Sequence, residues 1–265
     1  MSNKLPEQLT PTPTRLSRRD LLGFAAKGAA SVVVSQSLLL SCASGAVSTT
    51  DTTGSTGATT TTPTTGSSTC VLTAALTEGP YFVDEMLNRS DIRTDPVTGA
   101  VSAGIPLTLA FNVSRVANSA CTPLTGAYLD VWHCDAGGVY SDVSGSSRKF
   151  LRGYQITDAN GVAAFTTIYP GWYSGRAVHI HFKLRLFAGS TKTYEFTSQF
   201  FMDDMLTDTV YTQSPYSSRG TRTTRNVNDG IYNSLSSTDK AALTLQTSKT
   251  TDGYAGVINL GVAVG

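Results

Sequence analysis

The segment Ala177-Val178-His179-Ile180-His181-Phe182-Lys183-Leu184 concentrates the residues best suited to chemistry. On an extended chain, side chains alternate. Val178, Ile180, Phe182 and Leu184 then share one face and both histidines the other, so two imidazoles on a rigid strand could bind one ion. The chain has 3 histidines, and two of them stand here. Upstream, Pro170-Gly171-Trp172-Tyr173-Ser174 places a tyrosine in a turn leading into this strand, and Tyr140 follows the Gly137-Gly138 turn. A loop tyrosine taken alone is a packing or rim residue. The third histidine, His133, opens another reading, zinc on His133, His179 and His181 with a position left for water, as in a hydrolase or hydratase. A non-catalytic binding module, with the histidines on its surface and the tyrosines packed, is the other alternative.

Such a site needs strands to hold it. Leu107, Leu109, Phe111 and Val113 alternate with Thr108, Ala110, Asn112 and Ser114, the period of a half-buried strand. Residues 127–133, 162–168, 178–187, 192–201, 242–247 and 254–262 are further candidates. Turn signals such as Asp135-Ala136-Gly137-Gly138, Asp158-Ala159-Asn160-Gly161 and Thr251-Asp252-Gly253 separate them. Short strands at this spacing predict an all-β fold, an antiparallel β-sandwich with long loops. A short helix is expected over residues 227–235.

Before this module the composition changes. Residues 1–41 carry Arg18-Arg19 ahead of a small and apolar stretch, the pattern of a twin-arginine export signal, and Leu39-Leu40-Ser41-Cys42 resembles a lipobox with Cys42 as the lipidated residue. Residues 42–69, rich in Ser and Thr, form a flexible linker, and residues 70–265 form the folded domain. The expected location is therefore the periplasm or cell envelope. Only 15% of residues are charged and the net charge is +1, which argues against a nucleic-acid partner. With Cys42 set aside, Cys70, Cys121 and Cys134 allow one disulfide and one free thiol, and Cys121 with Cys134 is the expected pair. Oligomeric state has no signal in the sequence.

Four ordered blocks carry a resemblance. They are Asp130-Val131-Trp132-His133-Cys134-Asp135-Ala136-Gly137-Gly138-Val139-Tyr140-Ser141, Arg152-Gly153-Tyr154-Gln155-Ile156-Thr157-Asp158-Ala159-Asn160-Gly161, Thr167-Ile168-Tyr169-Pro170-Gly171-Trp172-Tyr173, and Arg176 with His179-Ile180-His181-Phe182. Together they resemble the intradiol ring-cleavage dioxygenases, non-haem Fe(III) enzymes that include the catechol and protocatechuate dioxygenases. The resemblance implies Tyr140, Tyr173, His179 and His181 as iron ligands, with Tyr173 leaving when substrate binds. It implies Arg176 and Gln199 as catalytic residues, and Glu78, Pro80 and Tyr81 as the border of the substrate pocket. The implied partners are a small aromatic diol and dioxygen, and the implied product is a muconate-type diacid. The donor set suits the ion, because phenolate is a hard anionic oxygen donor that favours Fe(III) over Fe(II). One departure is Ala177, where the family often has proline after the arginine.

Overall fold

The computed structural model describes residues 71–118 and 120–264. The arginine pair Arg18-Arg19, Cys42 and the leader and linker that contain them lie outside the described residues, as does Cys70, the first residue of the expected domain.

Two sheets face each other. The first contains β1 (Pro106–Ala117), β2 (Ala120–Pro123), β5 (Val162–Ile168), β8 (Gln246–Lys249) and β9 (Tyr254–Val262). Within it β1 is central, with β9 and then β8 on one side and both β2 and β5 against the other. The second sheet has the order β4 (Arg152–Ile156), β3 (Tyr128–Trp132), β6 (His179–Ala188) and β7 (Thr191–Phe201). The sandwich expected from the strand pattern is the fold observed. Pairing is antiparallel apart from β1 with β9, which run parallel with Leu107 opposite Tyr254 and Arg115 opposite Val262. Those two strands are distant in sequence and meet through long connections, so no hairpin fixes their direction.

The alternation in β1 does what its residues dictate. Leu107, Leu109, Phe111 and Val113 are buried, while Thr108 and Asn112 are exposed. Phe111 stands at the centre of the core with its ring 5.9 Å from each of Phe165, Phe182 and Phe200, joining β1 and β5 to β6 and β7.

Strand β6 departs from simple alternation, since both of its faces are buried. Ile180, Phe182 and Leu184 enter the core between the sheets. The opposite face carries His179, His181, Lys183 and Arg185 under a strap formed by residues 76–89. The strap is tied down by backbone bonds, Leu76 N–H to Thr197 O at 3.1 Å and Tyr154 N–H to Leu87 O at 2.8 Å. Its acids meet the buried cations. Glu78 pairs with Lys183, and Asp84 with Arg185 at 2.6 Å, while Asp130 of β3 holds the same arginine at 2.8 Å. Cations buried to this degree need such partners.

Helices are short. They are α1 (Asp204–Val210), α2 (Gly230–Asn233) and α3 (Ser237–Leu243), each preceded by a capping side chain, Asp203, Asp229 and Ser236 respectively. The helix expected over residues 227–235 is realised as a 3-10 turn, Asn226–Asn228, followed by α2. The strand expected over residues 242–247 is corrected. Ala242 and Leu243 end α3, whose start is fixed by the Ser236 cap, and the strand itself runs Gln246–Lys249.

The disulfide pairing is also corrected. Cys121 is disulfide-bonded, but Cys134 is a free, buried thiol. The two sit in different sheets: Cys121 in β2 opposite Val116 of β1, Cys134 just after β3 with its thiol donating to Gly171 O at 3.4 Å. Burial pushes that thiol up to about 12, so it stays protonated.

Candidate metal centre

Two backbone turns bring the tyrosines together. After β3 the chain turns through Asp135–Gly138, closed by Gly138 N–H to Asp135 O at 2.9 Å and by Val139 N–H to the Asp135 carboxylate at 2.9 Å. Gly138 has φ +79, and a Cβ there would lie 2.2 Å from Trp172 O. Gly171 donates to Asp135 O at 3.1 Å, and a Cβ at Gly171 would lie 2.4 Å from that same oxygen. The Tyr140 loop and the Tyr173 loop therefore pack backbone against backbone, which only glycine at both positions permits.

The Tyr173 hydroxyl is 3.1 Å from His179 Nε2, and His179 Nε2 is 3.0 Å from His181 Nε2. His179 Nδ1 lies 2.6 Å from Ala177 O, a contact in which the ring nitrogen must donate. This assigns the proton to Nδ1 and leaves the Nε2 lone pair facing Tyr173 and His181. His181 is stacked on Trp132 with ring centroids 5.0 Å apart and an interplanar angle of 8°. Tyr140 completes the cluster, its ring 5.8 Å from that of Tyr173 and 6.3 Å from that of His181. Its hydroxyl is buried without a hydrogen-bond partner, as is His181 Nδ1.

Burial governs the electrostatics. It pushes His179 down to about 3, helped by the nearby Arg176 charge, and holds His181 well below the usual imidazole range. It raises the Tyr173 phenol to about 12 against the pull of Arg176, and the Tyr140 phenol well above its ordinary value. The protein by itself thus keeps two imidazoles neutral and two phenols protonated around one point. A highly charged cation reverses this logic for the phenols while needing neutral imidazoles. Separations of 3.1 and 3.0 Å also leave Tyr173, His179 and His181 close enough to share one ion. An orphaned buried hydroxyl, a free Nε2 lone pair and hard oxygen donors fit a trivalent ion.

His133 does not join them. Its Nδ1 lies 2.8 Å from Cys134 O and its Nε2 2.7 Å from Thr167 Oγ1, so both ring nitrogens are engaged. The three-histidine zinc site is therefore set aside, and among the described residues no cluster of three His, Cys, Asp or Glu side chains could hold a metal.

Around this centre lie the other expected residues. Arg176 donates through Nε to Asp229 at 2.8 Å and through a terminal nitrogen to Gln199 Oε1. Gln199, opposite His181 in the β6–β7 ladder, donates to Thr77 O at 3.2 Å and so ties the strap to the arginine. Tyr81 stacks on Tyr140 with centroids 4.3 Å apart and meets Tyr173 edge-on at 6.2 Å. Gly79 passes over His181, where a Cβ would lie 3.4 Å from Cε1. Pro80 is exposed between them. Glu78 is turned toward Lys183, which also lies 4.2 Å from the Phe82 ring centroid.

Asp229 is the residue that sequence reasoning missed. It is fully buried, accepts from Arg176 and from Ala177 N–H at 2.7 Å through Oδ2, and caps α2 through Oδ1 with Ile231 N–H at 2.8 Å. The available signal was an Asp-Gly pair inside the segment expected to be helical, an aspartate in a capping position.

Comparison with known proteins places the chain in a family. A stretch of 98 residues is 30% identical to hydroxyquinol 1,2-dioxygenase of Corynebacterium glutamicum, covering 37% of this chain and 31% of that enzyme, so the match spans about a third of the relative. An intradiol ring-cleavage dioxygenase from Tetranychus urticae superposes with a TM-score of 0.62 at 29% identity, over 73% of this chain and 95% of that one. The dioxygenase domain of a dioxygenase–carbohydrate-binding protein fusion from Streptomyces sp. SirexAA-E gives 0.53 at 29% identity, over 74% and 100%. The Dioxygenase family model matches residues 77–229, from the strap through β7 to Asp229. With that match covering more than half of its length, this chain belongs to the intradiol ring-cleavage dioxygenases.

Proposed function

We propose that the chain holds Fe(III) through Tyr140, Tyr173, His179 and His181 and opens a catechol-type ring between its two hydroxyl carbons, inserting both atoms of dioxygen to give a muconate-type diacid. The observation that carries this is the convergence of two phenols and two neutral imidazoles, with Tyr173, His179 and His181 linked by separations of 3.1 and 3.0 Å. Bound there, ferric iron supplies the electron withdrawal that makes a catecholate ring reactive toward dioxygen without an outside reductant.

The remaining chemistry belongs to the side chains. With a metal bound, Tyr173 Oη would be the group to take a proton from the incoming diol, and burial, which pushes that phenol up to about 12, would keep the proton in place. Arg176, fixed by Asp229 and Gln199, sets its positive charge beside the anion that develops on the substrate. His179, anchored on Ala177 O, keeps its lone pair directed at the metal position. Trp132 and Tyr81 hold His181 and Tyr140 in plane and exclude water. Export and lipid anchoring through Cys42 belong to the same proposal and rest on the leader sequence alone.

The test is metal analysis with visible spectroscopy and oxygen uptake on a catechol panel. The iron-loaded chain is expected to be red-brown from phenolate-to-iron charge transfer. Tyr140→Phe and His179→Ala are expected to lose the colour and ring cleavage, and His133→Ala to keep its iron. Colour retained in the first two would overturn the ligand assignment.

A further inference from the structure

Beside the centre lies an open cleft of about 610 Å³ lined by Tyr81, Val139, Tyr140, Val143, Arg148 and Phe150, among others. Its inner wall is formed by Tyr140 and by Tyr81, the ring stacked on it. Phe150 also lines the cleft, with the Arg148 guanidinium 4.9 Å from its ring centroid. A second cleft of about 280 Å³ continues outward past Asp135, Arg148 and Phe150 to Val101 and Pro215. The first cleft alone falls in the range of about 300–1,000 Å³ that takes ligands much larger than one ring. The walls carry Tyr81, Val139, Tyr140, Val143 and Phe150, with Val139 56% exposed, while Ser144, Ser146 and Arg148 stand exposed at the rim.

The polar groups in the cleft are mostly committed elsewhere. Asp135, the one carboxylate among the lining residues of the larger cleft, accepts from Val139 N–H and closes its own turn. Arg148 donates through Nε to Asp95 at 3.0 Å. Asp95 is fully buried and also bonded by Val97 N–H and Thr98, so the arginine is anchored and its planar face covers Phe150. The broadest apolar surface left in the cleft is that of Tyr81, Tyr140, Val139, Val143 and Phe150.

Resting on the dioxygenase reading, we propose that the preferred substrate is a catechol carrying a bulky aromatic substituent. Its diol ring enters beside Tyr81 and Tyr140, and its second ring lies along Val139, Val143 and Phe150. A buried second ring removes about 150–250 Å² of aromatic surface from water, and pockets of this kind discriminate by roughly 10–200-fold per group recognised.

The experiment compares 4-phenylcatechol, a catechol with a carboxylate-ended chain, and catechol itself, by oxygen uptake on the iron-loaded chain and by anaerobic titration of its visible band. A kcat/KM for 4-phenylcatechol at least about tenfold above catechol, with tighter anaerobic binding, is expected. Val139→Asp, which puts charge on the apolar rim, and Ser146→Trp, which fills the cleft from its exposed edge, should each lower the phenylcatechol-to-catechol ratio about tenfold. A ratio near one in the unaltered chain, or one that neither variant moves, overturns the proposal. Preference for the carboxylate-ended chain overturns it too, and points to Arg148 as the recognising group. If no catechol is turned over, the dioxygenase reading fails instead. The cleft is then decided by quenching of tyrosine and tryptophan fluorescence with 4-phenylcatechol, where binding weakened by Val139→Asp supports it and binding no tighter than catechol's overturns it.

Discussion

Asp229 shows how much one carboxylate can organise. Its two oxygens are divided between Arg176 with the Ala177 amide on one side and the first amides of α2 on the other. The guanidinium is thereby held in a fixed plane with a nitrogen on Gln199. Asp229→Asn keeps the size of the side chain but replaces an acceptor oxygen with a donor amide, so one of these bonds is lost. A displacement of about 1 Å at a charge-stabilising group costs on the order of 10²-fold in rate. The expected result is a fall in kcat/KM of roughly that size with the visible band of the iron-loaded protein retained. Unchanged kcat/KM would show that Gln199 alone positions Arg176. The iron ligands proposed here were named from the sequence through the four-block family resemblance, since the turns and the alternation by themselves left the tyrosines as packing residues. Asp229 was not, because its partner is remote in sequence and only the folded chain brings the two together.

At the scale of elements, the site depends on two turns pressed together. Gly138 has a positive φ and faces Trp172 O, so Gly138→Ala adds both backbone strain and a clash. The strain alone costs about 1–3 kcal/mol, and the clash separates the Tyr140 loop from the Tyr173 loop. Gly145→Ala is the comparison, because Gly145 has φ +82 with nothing near its Cβ position. Both variants should lower the Tm, and Gly138→Ala alone should also lower bound iron. Equal iron in the two would detach loop packing from metal binding. Strands were legible wherever one face is buried, as in β1, where period two is written directly in Leu107 to Val113. β6 also showed its alternation, but not that its polar face would be covered, since the strap that buries Lys183 and Arg185 has no period of its own. The misplaced strand over residues 242–247 failed for a related reason. Ala241-Ala242-Leu243 is a short apolar run that suits either structure, and the Ser236 cap decides it.

Across the whole molecule, the two sheets are joined by polar as well as apolar contacts. His133, just beyond β3 of the four-stranded sheet, bonds Thr167 of β5 in the five-stranded sheet. Burial pushes this imidazole from an ordinary 6.5 down to about 4. Folding therefore favours the neutral form, and the unfolded chain binds more protons between those values. The stability contributed is fully present above about 6.5 and is lost as the pH falls toward 4. Thermal unfolding followed from pH 7 to pH 4 should show a declining Tm that is shallower in His133→Ala, whose Tm at neutral pH is already lower. His179 and His181 are shifted in the same direction, so chain and variant are to be compared at equal iron content. Equal slopes would remove His133 from the acid response.

The parallel pairing of β1 with β9 has a consequence for biosynthesis. Nine consecutive residues of β1, Leu107 to Arg115, find their partners in Tyr254 to Val262. During translation, one edge of β1 therefore stays bare until the chain has been made through Val262. A nascent or prematurely terminated chain ending before Tyr254 would present that edge to other chains, so such fragments should aggregate or be degraded rather than accumulate as a smaller folded enzyme.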